Sequence, residues 1–129
     1  MLEAVDGGPA PKIKRASGVP FDVGDDVYFG SKSDARSDWS NNPALNSASK
    51  YFFRKATGKS TGFAARNLGN GRILLQYESP ATYVPGQAKV YVGVVDLVKG
   101  TLSEFRYTRL PNGGVKEIRP YRVTSWHYP

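Results

Sequence analysis

The sequence predicts an α+β fold in which one main helix packs on an antiparallel sheet of four to five strands. Apolar residues recur at helical spacing between residues 42 and 58, and they alternate at a period of two through most of the chain after residue 60. Turn sequences such as Gly69-Asn70-Gly71 separate the alternating segments, as is typical of an antiparallel meander. A helix on one side of such a sheet leaves the other face open.

A chain of 129 residues fits one domain with a modest core. The first twenty residues differ from the rest, because Gly and Pro punctuate them and Lys12, Lys14 and Arg15 make them basic. Chain termini of this kind are usually mobile. We therefore expect a flexible basic leader over residues 1–20 and a single domain over residues 21–129.

Residues 21–42 are predicted to contain a short strand at Val27–Phe29 and then a polar loop. The aspartates of FDVGDDVYFG lie close together, but they lack the glycine and closing glutamate spacing of a calcium loop, so a polar turn is expected. Residues 31–42 are rich in Ser, Asp and Asn and contain Trp39. We expect a loop there.

The main helix is predicted within residues 42–58. Asn42 can cap it, Pro43 suits the first helical position, and Gly58 can end it. Arg54 and Lys55 near its C-terminus complement the helix dipole. The apolar face, at helical spacing, consists of Leu45, Ala48, Phe52 and Ala56.

Five segments after the helix are predicted to form strands. The third of them is apolar enough for a central position, and Pro120 marks an edge or a bulge in the last. The segments are TGFAARNL (61–68), RILLQYES (72–79), AKVYVGVVD (88–96), TLSEFRYTRL (101–110) and VKEIRPYRVT (115–124).

Composition limits the chemistry available to the chain. It has no cysteine and one histidine, which excludes a disulfide framework, thiol catalysis and a His-rich metal site. No apolar run is long enough to span a membrane, and the first residues lack the apolar centre of a secretion signal. The net charge of +7 and a pI near 9.7 favour a polyanionic partner, either nucleic acid or an acidic protein.

The last predicted hairpin, SEFRYTRLPNGGVKEIRPYR (103–122), is the most informative segment. If Asn112-Gly113 forms a two-residue turn, the alternation of side chains along the two strands places the polar residues on one face of the hairpin. These residues are Glu104, Arg106, Thr108, Glu117, Arg119 and Tyr121. The other face carries Phe105, Tyr107 and Ile118, and we expect it to lie under the helix. A slip of one residue at the turn would move Glu117 and Arg119 to that other face.

The polar face has the residue types that RNA cleavage requires. Arg106 opposite Arg119 is unfavourable unless an anion lies near both, and that anion can be a glutamate or a bound phosphate. Cleavage needs a base for the 2′-hydroxyl, cations for the phosphorane charge and an acid for the leaving oxygen. The candidate catalytic residues are Glu104, Arg106, Glu117, Arg119, Tyr121 and His127.

Other basic and aromatic residues are candidates for substrate binding. Lys59 adds to a basic rim with Arg54 and Lys55, and exposed tyrosines between cations suit base stacking. Stacking candidates are Tyr77, Tyr83, Tyr91 and Tyr121. The candidate substrate-binding residues are Lys59, Arg66, Arg72, Lys89, Thr108 and Arg122.

Other interpretations of the same residues stay open. The charged face can be an ordinary solvated ladder, or the surface of a non-catalytic nucleic-acid- or protein-binding module. An ADP-ribosylating toxin is a third possibility, with Arg66 or Arg72 and Glu78 as its residues, although no Glu-x-Glu pair is present. Lys59-Ser60-Thr61 resembles the end of a P-loop, but the upstream glycine and strand are missing.

The chain resembles the C-terminal toxin domains of bacterial polymorphic or contact-dependent-inhibition toxins. The segments that carry the resemblance are the junction-like GGPAPKIKRASGVP (7–20) and GKSTGFAARNLGNGRILLQYESPA (58–81). The resemblance implies delivery as part of a larger secreted bacterial protein, action in the target-cell cytoplasm, and neutralisation by a small acidic immunity protein.

Many such domains are similar to barnase, colicin and RelE-type ribonucleases, whose helix-then-sheet plan would cover the chain from about residue 40. In barnase-type enzymes a strand Glu, Arg residues on following strands and a His near the C-terminus act together. The matching positions are Glu104 or Glu117, Arg106, Arg119 and His127. RelE-like members use Arg, Lys and Tyr, which makes Tyr121 an alternative acid. The resemblance implies a ribonuclease of tRNA or rRNA with no metal and no cofactor.

Overall fold

Strands form most of the structure, a computed structural model that describes residues 3–4, 19, 21–36, 39, 42–80 and 85–125. For residues 3–4 and 119–125 it describes the course of the backbone. In chain order the elements are β1 (Glu3–Ala4), β2 (Asp26–Tyr28), α1 (Lys32–Ala35), α2 (Pro43–Phe53), β3 (Thr61–Gly69), β4 (Arg72–Pro80), β5 (Ala88–Asp96), β6 (Thr101–Arg109) and β7 (Val115–Ser125). The architecture is α+β, as predicted.

The described strands form one antiparallel sheet in the order β1-β7-β6-β5-β4-β3-β2. Strands β3 to β7 are the five strands predicted after the helix, and β2 is the short strand predicted at Val27–Phe29, shifted by one residue. The predicted total of four to five is nevertheless too low for the described part of the chain, because β2 and β1 add a short strand at each edge. The leader otherwise falls outside the described residues, apart from Val19.

Local signals place α2 correctly at its start but not at its end. The Asn42 side chain accepts a hydrogen bond of 3.1 Å from the Leu45 amide, and Pro43 occupies the first helical position. The four residues predicted to form the apolar face are all buried. The helix ends at Phe53 rather than near Gly58. Within the described structure, none of the helices is long and apolar enough to cross a membrane.

The segment predicted as a loop over residues 31–42 contains the short helix α1. Ser31 caps it by accepting a hydrogen bond of 3.2 Å from the Asp34 amide. Four residues are too few to show a helical period in the sequence. Trp39 is buried beyond α1 and packs on the ring of Phe21, with 5.5 Å between ring centroids.

The core lies between α2 and one side of the sheet, which we call the inner face. Phe52 and Phe53 of α2 are buried against it. Residues opposed in the ladders share a face, and the rows Ile73–Val95–Leu102 and Leu75–Gly93–Glu104 belong to the inner face.

The prediction of which hairpin residues lie under the helix was wrong. Glu104 shares the inner face with the core, whereas Phe105 and Tyr107 lie on the opposite, outer face, and Ile118 is 68% exposed. Leu102 explains why Glu104 lies on the helix side. Leu102 is fully buried under α2, and Glu104, two residues later on β6, points to the same face of the sheet. The polar residues of β6 are thus carried onto the helix side of the sheet.

The register of the last hairpin also differs from the predicted one. The turn closes with Leu110 and Gly114 hydrogen-bonded, at 2.7 Å, so that Thr108 faces Lys116 rather than Glu117. An irregularity follows at Glu117, whose φ of 55° is left-handed, and it restores the predicted pairing of Arg106 with Arg119. A second irregularity then places Arg122, rather than Tyr121, opposite Glu104.

Gly93 lets α2 approach the sheet closely, and we expect Gly93→Ala to destabilise the fold. A Cβ there would lie 2.8 Å from Cδ1 of the buried Phe52 ring and 3.1 Å from Cδ1 of Leu102. Overpacking of this kind costs about 1–3 kcal/mol in free energy of unfolding, which urea denaturation measures. The control is Gly58→Ala, because a Cβ at Gly58 meets no atom within 4 Å. Equal stability of the two variants would contradict the prediction.

Candidate functional site

A cleft of about 210 Å³ opens on the inner face beyond the C-terminus of α2. It exists because α2 ends at Phe53, while the strands beneath it continue past the covered area. Apolar residues therefore fill the covered part of the inner face, and polar residues fill the rest. The cleft is lined by Phe52, Lys55, Thr57, Tyr77, Ser79, Tyr91, Glu104, Phe105 and Arg106.

A buried ion pair lies at this cleft. Glu104 is 3% exposed, and its Oε1 accepts a hydrogen bond of 2.9 Å from Nζ of Lys55, whose side chain is 26% exposed. The Lys55 ammonium also lies 4.7 Å from the centroid of the Tyr51 ring. The second oxygen, Oε2 of Glu104, is buried and has no hydrogen-bond partner among the described residues. A carboxylate oxygen at the wall of a cavity, to which no described residue donates a hydrogen bond, can serve as a proton acceptor.

The backbone around Lys55 is held from the first helix. Lys32 of α1 donates hydrogen bonds from Nζ to the carbonyl oxygens of Arg54, at 2.8 Å, and Ala56, at 2.6 Å. These carbonyls flank Lys55 and lie just past the end of α2, where a cation also complements the helix dipole. α1, which was not predicted, therefore positions the lysine of the ion pair.

Arg106 supplies a second cation to the cleft. It lies two positions after Glu104 on the same face of β6, between Tyr91 on β5 and Arg119 on β7 in the register. The predicted juxtaposition of Arg106 with Arg119 is confirmed for the backbone. The arrangement puts a carboxylate and two cations, Lys55 and Arg106, around one cavity.

Aromatic rings form a column across the strands beside these charges. Tyr91 stacks on Tyr77 with centroids 5.0 Å apart and 15° between ring planes, and Tyr77 stacks in turn on Phe63 at 6.1 Å. Tyr77 is buried, whereas Tyr91 is partly exposed at the cleft. Tyr91 is therefore the ring of this column that a ligand entering the cleft can contact.

A second cavity, of about 160 Å³, adjoins the first. Its lining includes Lys89, Thr108 and Glu117, together with Arg106, which lines both cavities. The left-handed backbone of Glu117 is a local strain of about 1–3 kcal/mol, of a kind that clusters at functional sites. The Glu117 carboxylate is about half exposed and lies 3.8 Å from Nζ of Lys116.

Three of the predicted substrate-binding residues lie away from the cleft. Arg66 forms a two-pronged ion pair with Asp26, and this hydrogen bonding raises the pKa of Arg66 and lowers the pKa of Asp26. Arg72 is exposed at the start of β4, and its position has the outer-face parity. Lys59 is exposed in the turn after α2 and does not line the cleft.

Glu78, named with Arg66 or Arg72 for ADP-ribosylation, is engaged elsewhere. It accepts two hydrogen bonds from Arg109, at 2.9 and 2.6 Å, and these raise the pKa of Arg109. Its position also has the outer-face parity.

The last predicted site residues are only partly described. The backbone places Arg119 and Arg122 opposite Arg106 and Glu104, and it places Tyr121 in the second irregularity of β7. His127 and Tyr83 lie outside the described residues. Within the described ranges, no cluster of three or more His, Cys, Asp or Glu side chains has the geometry of a metal site.

Sequence reasoning missed Lys55 and Ser79 as cleft residues and placed Lys55 only on a basic rim. Lys55 lies 49 residues before its partner Glu104, and no local pattern links them. Tyr91, by contrast, was a stacking candidate from the sequence. It is the tyrosine of the apolar central strand β5, and strand alternation places it on the face that carries the cleft.

The fold and the cleft together define a class: a small basic α+β protein whose antiparallel sheet carries a Lys–Glu pair, an arginine and stacked tyrosines beside the end of its helix. No protein family, no curated protein and no solved structure matches the chain significantly.

Proposed function

We propose that the chain is a metal-independent endoribonuclease whose active site is the inner-face cleft. The observation that carries the proposal is the buried Glu104 carboxylate, which is paired through one oxygen with Lys55 and lines a cavity that also contains Arg106. A positioned base next to two cations is what phosphodiester transesterification needs.

In the proposed reaction, Glu104 accepts the proton of the ribose 2′-hydroxyl as the 2′-oxygen attacks the adjacent phosphorus. The new O2′–P bond forms while the P–O5′ bond breaks. Lys55 and Arg106 stabilise the negative charge that develops on the phosphorane oxygens. The products are a 2′,3′-cyclic phosphate and a 5′-hydroxyl, and two cationic side chains take the part that a metal ion plays in other nucleases.

The leaving 5′-oxygen must receive a proton. Tyr91 lines the cleft and is a candidate acid alongside Tyr121 and His127, the two that the sequence indicates. Single Tyr→Phe and His→Gln variants assign the role, because only loss of the acid slows substrates with a natural 5′-oxygen leaving group more than substrates with a good leaving group.

The biological setting follows from the resemblance to bacterial toxin domains. We propose delivery as part of a larger secreted bacterial protein, cleavage of tRNA or rRNA in the target-cell cytoplasm, and inhibition by a small acidic immunity protein. The net charge of +7 supports an acidic partner as well as RNA, because opposite charge steers association.

The direct test is incubation of the purified chain with total RNA, with and without EDTA. Cleavage under both conditions, with 2′,3′-cyclic phosphate ends detected by mass spectrometry, is expected. Intact RNA in both samples would overturn the proposal, and cleavage that EDTA abolishes would overturn its metal independence.

A non-catalytic nucleic-acid-binding module is the second candidate, favoured by Tyr91 lining the same cleft as Lys55 and Arg106. It predicts binding that weakens steeply with salt and shows no turnover. An ADP-ribosyltransferase would instead transfer label from NAD to a protein target.

A further inference from the structure

We infer that the two adjoining cavities form consecutive subsites for single-stranded RNA, with an unpaired base on Tyr91 and a neighbouring phosphate between Lys89 and Arg106. This inference rests on the proposed function, because it takes the reacting phosphate to lie at Glu104 and Lys55. To the proposed ribonuclease activity it adds a substrate class: single-stranded RNA that continues past the nucleotide at which cleavage occurs.

The second cavity has the chemistry of a phosphate subsite. Lys89 and Arg106 provide two cations, and Thr108, which is buried, provides a hydroxyl. Among the described residues of its lining, Glu117 supplies the one carboxylate, which is half exposed and close to the Lys116 ammonium. The described side chains around the cavity therefore carry more positive than negative charge.

The spacing of the two subsites suits an extended strand of RNA. Tyr91 opposes Arg106 in the register, and Lys89 opposes Thr108 two positions along the same strands. Two strand residues span about 7 Å, which is close to the length of one nucleotide in an extended chain. Arg106 lines both cavities and can therefore contact the phosphate on either side of that nucleotide.

The position of Tyr91 requires an unpaired base. Its ring lies on the sheet, backed by Tyr77 and Phe63, and the end of α2 with Lys55 forms another wall of the cleft. A base that is paired and stacked inside a duplex cannot reach such a ring, whereas a base in a single strand can.

The test uses 2′-O-methyl RNA dinucleotides, which cannot be cleaved because the attacking hydroxyl is blocked. Affinity is measured by competition for the dinucleotide alone, and for the same dinucleotide with a phosphate added at its 5′ or its 3′ end. We expect one of the two added phosphates to tighten binding roughly tenfold at low salt. Lys89→Met should remove that gain.

Two matched variants control for charge and for ring loss. Lys99→Met changes the same charge at an exposed lysine in the turn between β5 and β6, and it should keep the gain. Tyr91→Leu should weaken every oligonucleotide roughly tenfold through lost stacking, and Tyr91→Phe should restore the affinity. For 2′-O-methyl oligonucleotides long enough to pair stably, the duplex should bind at least roughly tenfold more weakly than either of its single strands.

The outcomes separate this inference from the proposed function. The subsites are overturned if the added phosphate tightens binding equally in the Lys89→Met and Lys99→Met variants. They are also overturned if a duplex binds as tightly as the single strand, even if the protein cleaves RNA. A gain that depends on Lys89, in a protein that does not cleave RNA, keeps the subsites and rejects the nuclease.

Discussion

Glu104→Gln is expected to lower the rate of RNA cleavage by about 10²–10⁴-fold, because it removes the only carboxylate that the described residues place in the lining of the cleft while keeping the shape of the side chain. The rate is measured under single-turnover conditions with excess protein, so that weaker binding and slower chemistry are separated. Circular dichroism and thermal denaturation check that the variant is folded.

Glu78→Gln is the matched control for this loss. It makes the same chemical change at a partly exposed glutamate of the outer face, where the partner is Arg109. Cleavage should remain close to the wild-type rate in this variant. A Glu104→Gln protein that cleaves within about threefold of wild type would remove Glu104 as the general base.

Lys55→Met is expected to reduce both stability and cleavage, because it leaves the Glu104 carboxylate buried without its partner. Breaking a fully buried pair typically costs about 3–5 kcal/mol. Lys55 is 26% exposed, so water compensates in part and we expect about 2–3 kcal/mol in free energy of unfolding. Urea denaturation measures this loss, and methionine keeps the apolar stem of the side chain.

The double variant Lys55→Met with Glu104→Gln distinguishes lost charge from lost packing. It should recover most of the stability, since no unpaired charge remains, but it should stay inactive. Lys50→Met, at an exposed lysine of α2, controls for the loss of one positive charge and should change neither property. Stability losses that simply add in the double variant would show that the two side chains are not coupled.

Much of the fold follows from local signals. Asn42 and Pro43 mark the start of α2, and the alternation after Gly58 marks five strands, because capping and strand alternation act over only a few residues. Asn70 and Gly71 take the left-handed backbone that a tight hairpin needs, with φ of 55° and 78°. The end of α2 was not predictable in this way, since the carbonyls just past it are bound by Lys32 from another helix.

The site was predictable only in part. Alternation showed that Glu104, Arg106 and Thr108 share one face of β6, but it could not show which face α2 covers. Phe105 and Tyr107 were the natural choice by hydrophobicity, yet the buried Leu102 places the opposite parity under the helix. The left-handed bulge at Glu117 also changed the register without any glycine to reveal it.

The sequence by itself therefore determined the α+β class, the start of the main helix, the five-strand meander of β3 to β7 and the grouping of Glu104 with Arg106, since each depends on periodicity or turn chemistry within a short segment. Only the tertiary structure decided that this group lies on the helix side, that Lys55 pairs with Glu104, and that Tyr91 completes the cleft. These are contacts between distant segments, and they form because α2 is shorter than the strands it covers and leaves polar side chains to enclose the remaining space.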